Sequence, residues 1–336
     1  MDSSNFFARS RLSRLRFLDL YGKIQISPWD RLAPQTTLLT VLSLDISIPP
    51  PSSTLPASQL FSILNSNPNL QELSLAGDAL PNDADKSTFE VQLPHLKTLS
   101  LTGDPRHLSG LLGQLVLPEM LDKMNLSGFE DISQILAPYI QDYFRRDPRF
   151  QGRLDLSSSH CGGSISISVG VMCTKTPMVA QDLPWVMLMA DTNPPPNPLE
   201  QLFDLIALIP KERVVRLDAD LAMTPPEELF SMMPNIEVLR LSDVELSEGF
   251  LQPDPGGPHA NTKLLPLLEM LYLHDPVLDD DDWSHLTRYL AHQTSNGQNI
   301  SLTMCGCIPD MCPEVANEIR DLVKELEFEE DSEDGE

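Results

Sequence analysis

Leucines recur along this chain in a frame that polar residues interrupt at fixed places. In NPNLQELSLAGD (residues 67–78) and LPHLKTLSLTGD (residues 93–104), a proline is followed two positions on by leucine, then by leucine at five and at seven. The frame returns at Pro234 with Ile236, Leu239 and Leu241, and at Pro266 with Leu268, Leu271 and Leu273. Looser copies run through Leu15, Leu18 and Leu20, through Leu39, Leu42 and Leu44, and through Leu121, Met124 and Leu126. Degenerate copies end at Leu156, Leu217 and Leu302. The closing L-x-L of each copy alternates apolar and polar positions, which predicts a short strand with one buried face. From Leu20 to Leu44, Leu75 to Leu101, Leu101 to Leu126 and Leu217 to Leu241 the spacing is 24 to 26 residues, with a longer step of 32 to Leu273. A period of this size marks a chain of stacked units.

Between the strands the spacing turns helical. Leu108, Leu111, Leu112 and Leu115 share one helical face, as do Ile132, Ile135, Leu136, Tyr139, Ile140 and Tyr143 in a segment that Pro138 bends or interrupts. Thr224-Pro-Pro-Glu227 reads as a capping box, and Asp279 to Asp282 put carboxylates at the positive end of a helix dipole. A single strand-helix unit cannot bury both its leucines and its helix face, so the units must share one core. The expected fold is α/β: a curved solenoid with a parallel sheet on the concave side and helices on the convex side. It spans residues 12–327, between an N-terminal flank (1–11) and a disordered acidic tail (328–336).

Residues 150–198 break the rhythm, with GGSISISVGVMC and PWVMLMAD as extra or irregular strands, and residues 252–263 form a turn-rich insertion. NISLTMCGC reads as the last repeat, and CPEVANEIRDLVKELEF as an amphipathic helix capping the open end.

The P-x-L-x-x-L-x-L copies, each followed by a helix, resemble leucine-rich repeats of the divergent kind found in fungal F-box and leucine-rich-repeat proteins. The resemblance implies a leucine-rich-repeat solenoid that serves as a protein-protein interaction scaffold. It further implies the substrate-binding part of an F-box-type ubiquitin-ligase receptor, with a cullin-type ligase adaptor as partner where a longer form carries an F-box. An F-box precedes the repeats, and here the first copy starts by Leu15, so none is read in this chain. Common leucine-rich repeats carry Asn or Cys three positions past the last leucine. Here those places hold Asp78, Asp104, Phe129, Val244 and Pro276, so the usual side-chain ladder is expected to be missing or improvised.

Composition narrows the partners. A formal net charge of −26 repels phosphate backbones and anionic lipid head groups, so neither nucleic acid nor a membrane is expected as a partner. Nowhere do eighteen apolar residues run together, and five cysteines without regular spacing do not form a disulfide framework. A cytoplasmic or nuclear protein is expected.

No nucleophile elbow, dinucleotide fingerprint or phosphate loop occurs, so neither a catalytic site nor a cofactor is expected. Cys305, Cys307 and Cys312 lack partners at metal spacing, and no metal is expected either. A binding site would then lie on the concave sheet, among the residues between the buried leucines. Arg216, Arg240, Tyr272 and His274 stand out there because their chemistry dominates interface hot spots, and Asp19 and Tyr21 take the same places in the first copy. The alternatives are an enzyme with its site in the irregular 150–191 region and a degenerate paralogue without a partner.

Overall fold

The computed structural model describes residues 12, 14–23, 36–48, 55–83, 90–129, 132–161, 164–171, 185–191, 198–220, 227–242, 265–276, 278, 280–306 and 312–329. The chain divides into two compact units, Met1–Arg149 with Lys175–Leu208, and Phe150–Thr174 with Ile209–Glu336. The capping box at Thr224, the insertion at 252–263, Asp279 and Cys307 fall outside the described residues.

The first unit is built on β1 (Phe17–Lys23), β2 (Val41–Ser47) and β3 (Glu72–Gly77), followed by β4 (Val91–Gln92), β5 (Thr98–Gly103), β6 (Leu115–Val116) and β7 (Lys123–Phe129). Strands β1, β2, β3, β5 and β7 pair in that order, every pair parallel. The register lines up the repeats. Leu18, Leu42, Leu73, Leu99 and Met124 form one cross-strand row, and Leu20, Leu44, Leu75, Leu101 and Leu126 form the next. Leu73, Leu99, Leu101 and Leu126 are completely buried, so each L-x-L faces the core as its alternation predicts. Polar residues between them point to the other face.

Between these strands lie α1 (Ala57–Asn65) and α2 (Pro105–Leu112), and α3 (Ile132–Arg146), with Pro138 inside it, follows β7. Asp104 caps α2 by accepting the Arg106 backbone N–H at 2.8 Å, and Pro105 supplies the fixed φ of a first helical residue. Helical spacing alone predicts that α2 continues through Leu115; it ends at Leu112, and Leu115 starts β6, which pairs with β4. Gly113 follows the helix, and Val91 N–H donates to the Gln114 carbonyl, so pairing to β4 takes the backbone groups that another helical turn would have used.

The chain then enters the second unit as an antiparallel hairpin, β8 (Leu154–Cys161) and β9 (Ser164–Val171). Next, β10 (Trp185–Asp191) pairs in parallel with β7, Val186 against Met124 and Leu188 against Leu126. Both segments expected as extra or irregular strands form strands here. The hairpin is the true departure, while β10 extends both leucine rows of the first unit in register. Helix α4 (Pro198–Ile206) follows.

In the second unit β9, β8, β11 (Val214–Asp220), β12 (Val238–Ser242), β13 (Met270–His274) and β14 (Ser301–Cys305) pair in that order, and every pair after the hairpin is parallel. Leu156, Leu217, Leu239, Leu271 and Leu302 form its buried row. The helices are α5 (Glu227–Met232), α6 (Asp280–Ser295) and α7 (Pro313–Leu322).

The C-terminal end differs from expectation. The helix stops at Leu322, and Glu325–Glu329 form a further strand, β15, parallel to β14. Leu326 meets Leu302 and Phe328 meets Met304, so the apolar rows carry the strand through Glu329; residues 330–336 of the expected tail fall outside the described residues. NISLTMCGC is therefore not the last strand.

Small polar groups tie neighbouring copies together. Asn67, 1% exposed, accepts the Leu39 N–H at 2.8 Å and donates to the Ile63 carbonyl at 2.8 Å. Asp78 accepts the Ile48 N–H at 2.7 Å, so one rung of the expected ladder is rebuilt by a carboxylate. Before it, Gly77 turns left-handed at φ 61; the equivalent place after β13 holds Asp275 at φ 44. No helix among the described residues is long and apolar enough to cross a membrane.

Candidate interaction face

The second unit places Arg216, Arg240, Tyr272 and His274 on one sheet face, opposite the buried leucines. Register sets their order. Asp218 on β11 faces Arg240 on β12, which faces Tyr272 on β13, then Thr303 and Glu327. One position earlier on this face Arg216 lies between Asp155 and Val238, and one position later Ser242, His274 and Cys305 are neighbours.

Arg240 is the best-held member. Its Nη1 is 3.7 Å from Asp218 Oδ2, and its guanidinium carbon lies 5.1 Å from the centroid of the Tyr272 ring. A carboxylate on one side and an aromatic face on the other fix the guanidinium across three strands. The side chain remains 41% exposed, so this arrangement adds little to stability but leaves a pre-oriented cation and ring to a partner. Tyr272 is half-buried beside Val238 and Met270, and its hydroxyl is 4.0 Å from Met270 Sδ. His274 Nδ1 is 3.3 Å from Asp275 Oδ2.

Asp155 was missed by sequence reasoning. Burial pushes its carboxyl above the ordinary carboxylate range, Arg216 and then Arg153 pull it back, and Asp218 adds to the upward push. Its Oδ1 is buried without a hydrogen-bond partner among the described residues. The available signal was the alternation Leu154, Asp155, Leu156, obscured because this copy carries an extra residue after Pro148. Arg153, next to it, pairs with Glu237.

Asp19 and Tyr21 belong to the other unit, on the outer strand β1, opposite Ser43 and Asp45. The structure does not bring them together with the four residues above. Both are exposed, Tyr21 at 81%, and Phe17 on the same face is 66% exposed, an aromatic just before Leu18, in register with Val41, Glu72 and Thr98. Ser127, which the alternation of β7 puts on the polar face beside Thr102, is only 2% exposed.

Among the described residues no three His, Cys, Asp or Glu side chains stand close enough to hold a metal ion. A scan against protein-family models gives no match for this chain, and a search of curated proteins gives none. The fold class defined by the strands and helices is α/β with a mostly parallel sheet.

Proposed function

We propose that the chain is a leucine-rich-repeat solenoid acting as a protein-interaction scaffold, with its partner bound on the concave sheet face through Arg216, Arg240 and Tyr272. The observation that carries this reading is the Asp218–Arg240–Tyr272 row. A desolvatable aromatic and a pre-oriented guanidinium, flanked by Val238 and Met270, have the composition of an interface hot spot rather than of a reaction centre. The in-register leucine rows support the repeat part of the reading. The narrower role, substrate recognition for an F-box-type ubiquitin ligase, rests on the resemblance of the repeats alone.

The test is affinity capture with the wild type and with Arg240→Ala/Tyr272→Ala, both checked for an unchanged melting temperature. A specific protein retained by the wild type and lost by the double variant is the expected result. Identical captured sets would refute the site. Co-capture of a cullin-type adaptor by a form carrying an F-box would test the narrower role.

A further inference from the structure

The first unit contains a cavity of about 450 Å³ between α2, β6, β7 and α3, which the polar sheet face does not use. Its origin is a mismatch of lengths. Helix α2 stops after 8 residues, while α3 runs for 15 and carries Pro138 at its middle. Past α2 the chain is the two-residue strand β6, so the second half of α3 faces β6 and β7 across a gap.

The walls are apolar: Leu112, Leu115, Val116, Met124, Leu126 and Ile140. Protein interiors are packed to crystal density with few voids larger than a water molecule, whereas ligand sites of roughly 300–1,000 Å³ are apolar with a few placed polar groups. Val116 is 42% exposed, which puts it at the rim. Two further lining residues, Asp142 and Arg146, are half-exposed and joined through Arg146 Nε at 2.7 Å. That contact fixes the guanidinium while its Nη groups have no acceptor among the described residues. Tyr139 also lines the cavity, and its hydroxyl oxygen accepts the Ser109 hydroxyl at 3.4 Å.

We propose that this cavity binds a small amphiphile, an apolar chain ending in a carboxylate. The chain lies along Leu115, Met124, Leu126 and Ile140, and the carboxylate meets the Nη groups of Arg146 and the Tyr139 hydroxyl. Asp142 balances the charge of Arg146, so recognition of the head rests on the Nη donors that the ion pair leaves to a further acceptor.

Decanoate is the probe and decanol its uncharged counterpart, titrated into the full chain by calorimetry. Saturable one-to-one binding of decanoate is expected. Arg146→Gln weakens decanoate by about tenfold and leaves decanol unchanged, and Val116→Trp fills the rim and abolishes both. Where Val116→Trp lowers the melting temperature, methyl-labelled methionine in the wild type decides instead, since the Met124 resonance must shift with decanoate. The proposal is overturned by absence of saturable decanoate binding, by equal loss of both probes in Arg146→Gln, or by an unmoved Met124 resonance.

Discussion

Removing the carboxylate of Asp147 tests whether the staple after α3 is held by a buried charge. Asp147 is completely buried and accepts the Tyr143 hydroxyl at 3.1 Å, the Arg149 backbone N–H at 3.0 Å, and Arg149 Nε and Nη2 at 3.0 and 2.7 Å. Arg149 also donates to the Leu121 carbonyl at the entry of β7, and the Tyr143 hydroxyl oxygen accepts the Leu121 backbone N–H at 3.2 Å. Breaking a buried pair by removing one partner costs about 3–5 kcal/mol when the remaining charge stays buried. Arg149 is 25% exposed and rehydrates in part, which puts Asp147→Ala near the lower end, about 3 kcal/mol. At roughly 2–4 °C per kcal/mol for a body of this size, the melting temperature falls by about 6–12 °C. Arg149→Met strands the fully buried carboxylate and costs more than Asp147→Asn, which keeps an acceptor for the Arg149 N–H. The double variant Asp147→Asn/Arg149→Met buries no charge and recovers about 2 kcal/mol relative to the sum of the single variants. Urea denaturation followed by circular dichroism measures all four. A loss under about 0.5 kcal/mol for Asp147→Ala, or additive single variants, would refute the reasoning.

Leu99→Asp puts an unpaired charge at a completely buried position and is expected to abolish soluble folded protein, whereas Thr98→Asp on the polar face leaves the melting temperature unchanged; equal damage would mean the register is wrong. Gly77→Ala forces a Cβ onto a residue at φ 61 and to within 2.9 Å of the Ile46 carbonyl oxygen, with an expected loss of about 1–2 kcal/mol in denaturant titration. Asn67→Ala leaves the buried Leu39 N–H and Ile63 carbonyl unpaired and is expected to cost about 1–3 kcal/mol by the same measurement. Burial raises the phenols of Tyr143 and Tyr289 above their ordinary value of about 10. Their contribution is therefore fully present below that pH and is lost as pH rises toward the raised folded values, so thermal melts should show stability falling above about pH 10, less steeply in Tyr289→Phe.

The rows of the sheet were legible because a strand's period of two turns each L-x-L into a statement about which side is buried, and the repeat length then lines the strands up. Leu115 was misread because one apolar residue at helical spacing also fits a strand end. The pairing of Val91 with Gln114, which decides between them, lies more than twenty residues upstream. At β15 local composition pointed the wrong way. Glu325 and Glu327 read as the end of an amphipathic helix and Glu329 as tail, yet alternation with Leu326 and Phe328 suffices when the exposed edge of β14 is available as a template.

The residues that join copies were the least legible, for a reason that Asn67 and Asp147 share. Each is a polar residue directly before a frame proline, in Asn67-Pro68 and Asp147-Pro148, where composition says turn and exposure. Each is instead buried and answers a backbone donor: Asn67 accepts the Leu39 N–H of the preceding copy, and Asp147 accepts the Arg149 N–H two residues on. The same logic explains why Asp155 was passed over. An extra residue between Pro148 and Leu154 shifts this copy out of the frame, yet Phe150, Leu154 and Leu156 are buried in the order the frame requires. A frame that tolerates one inserted residue after its proline puts Asp155 on the polar face beside Arg216, and extends the candidate face by the strand β8.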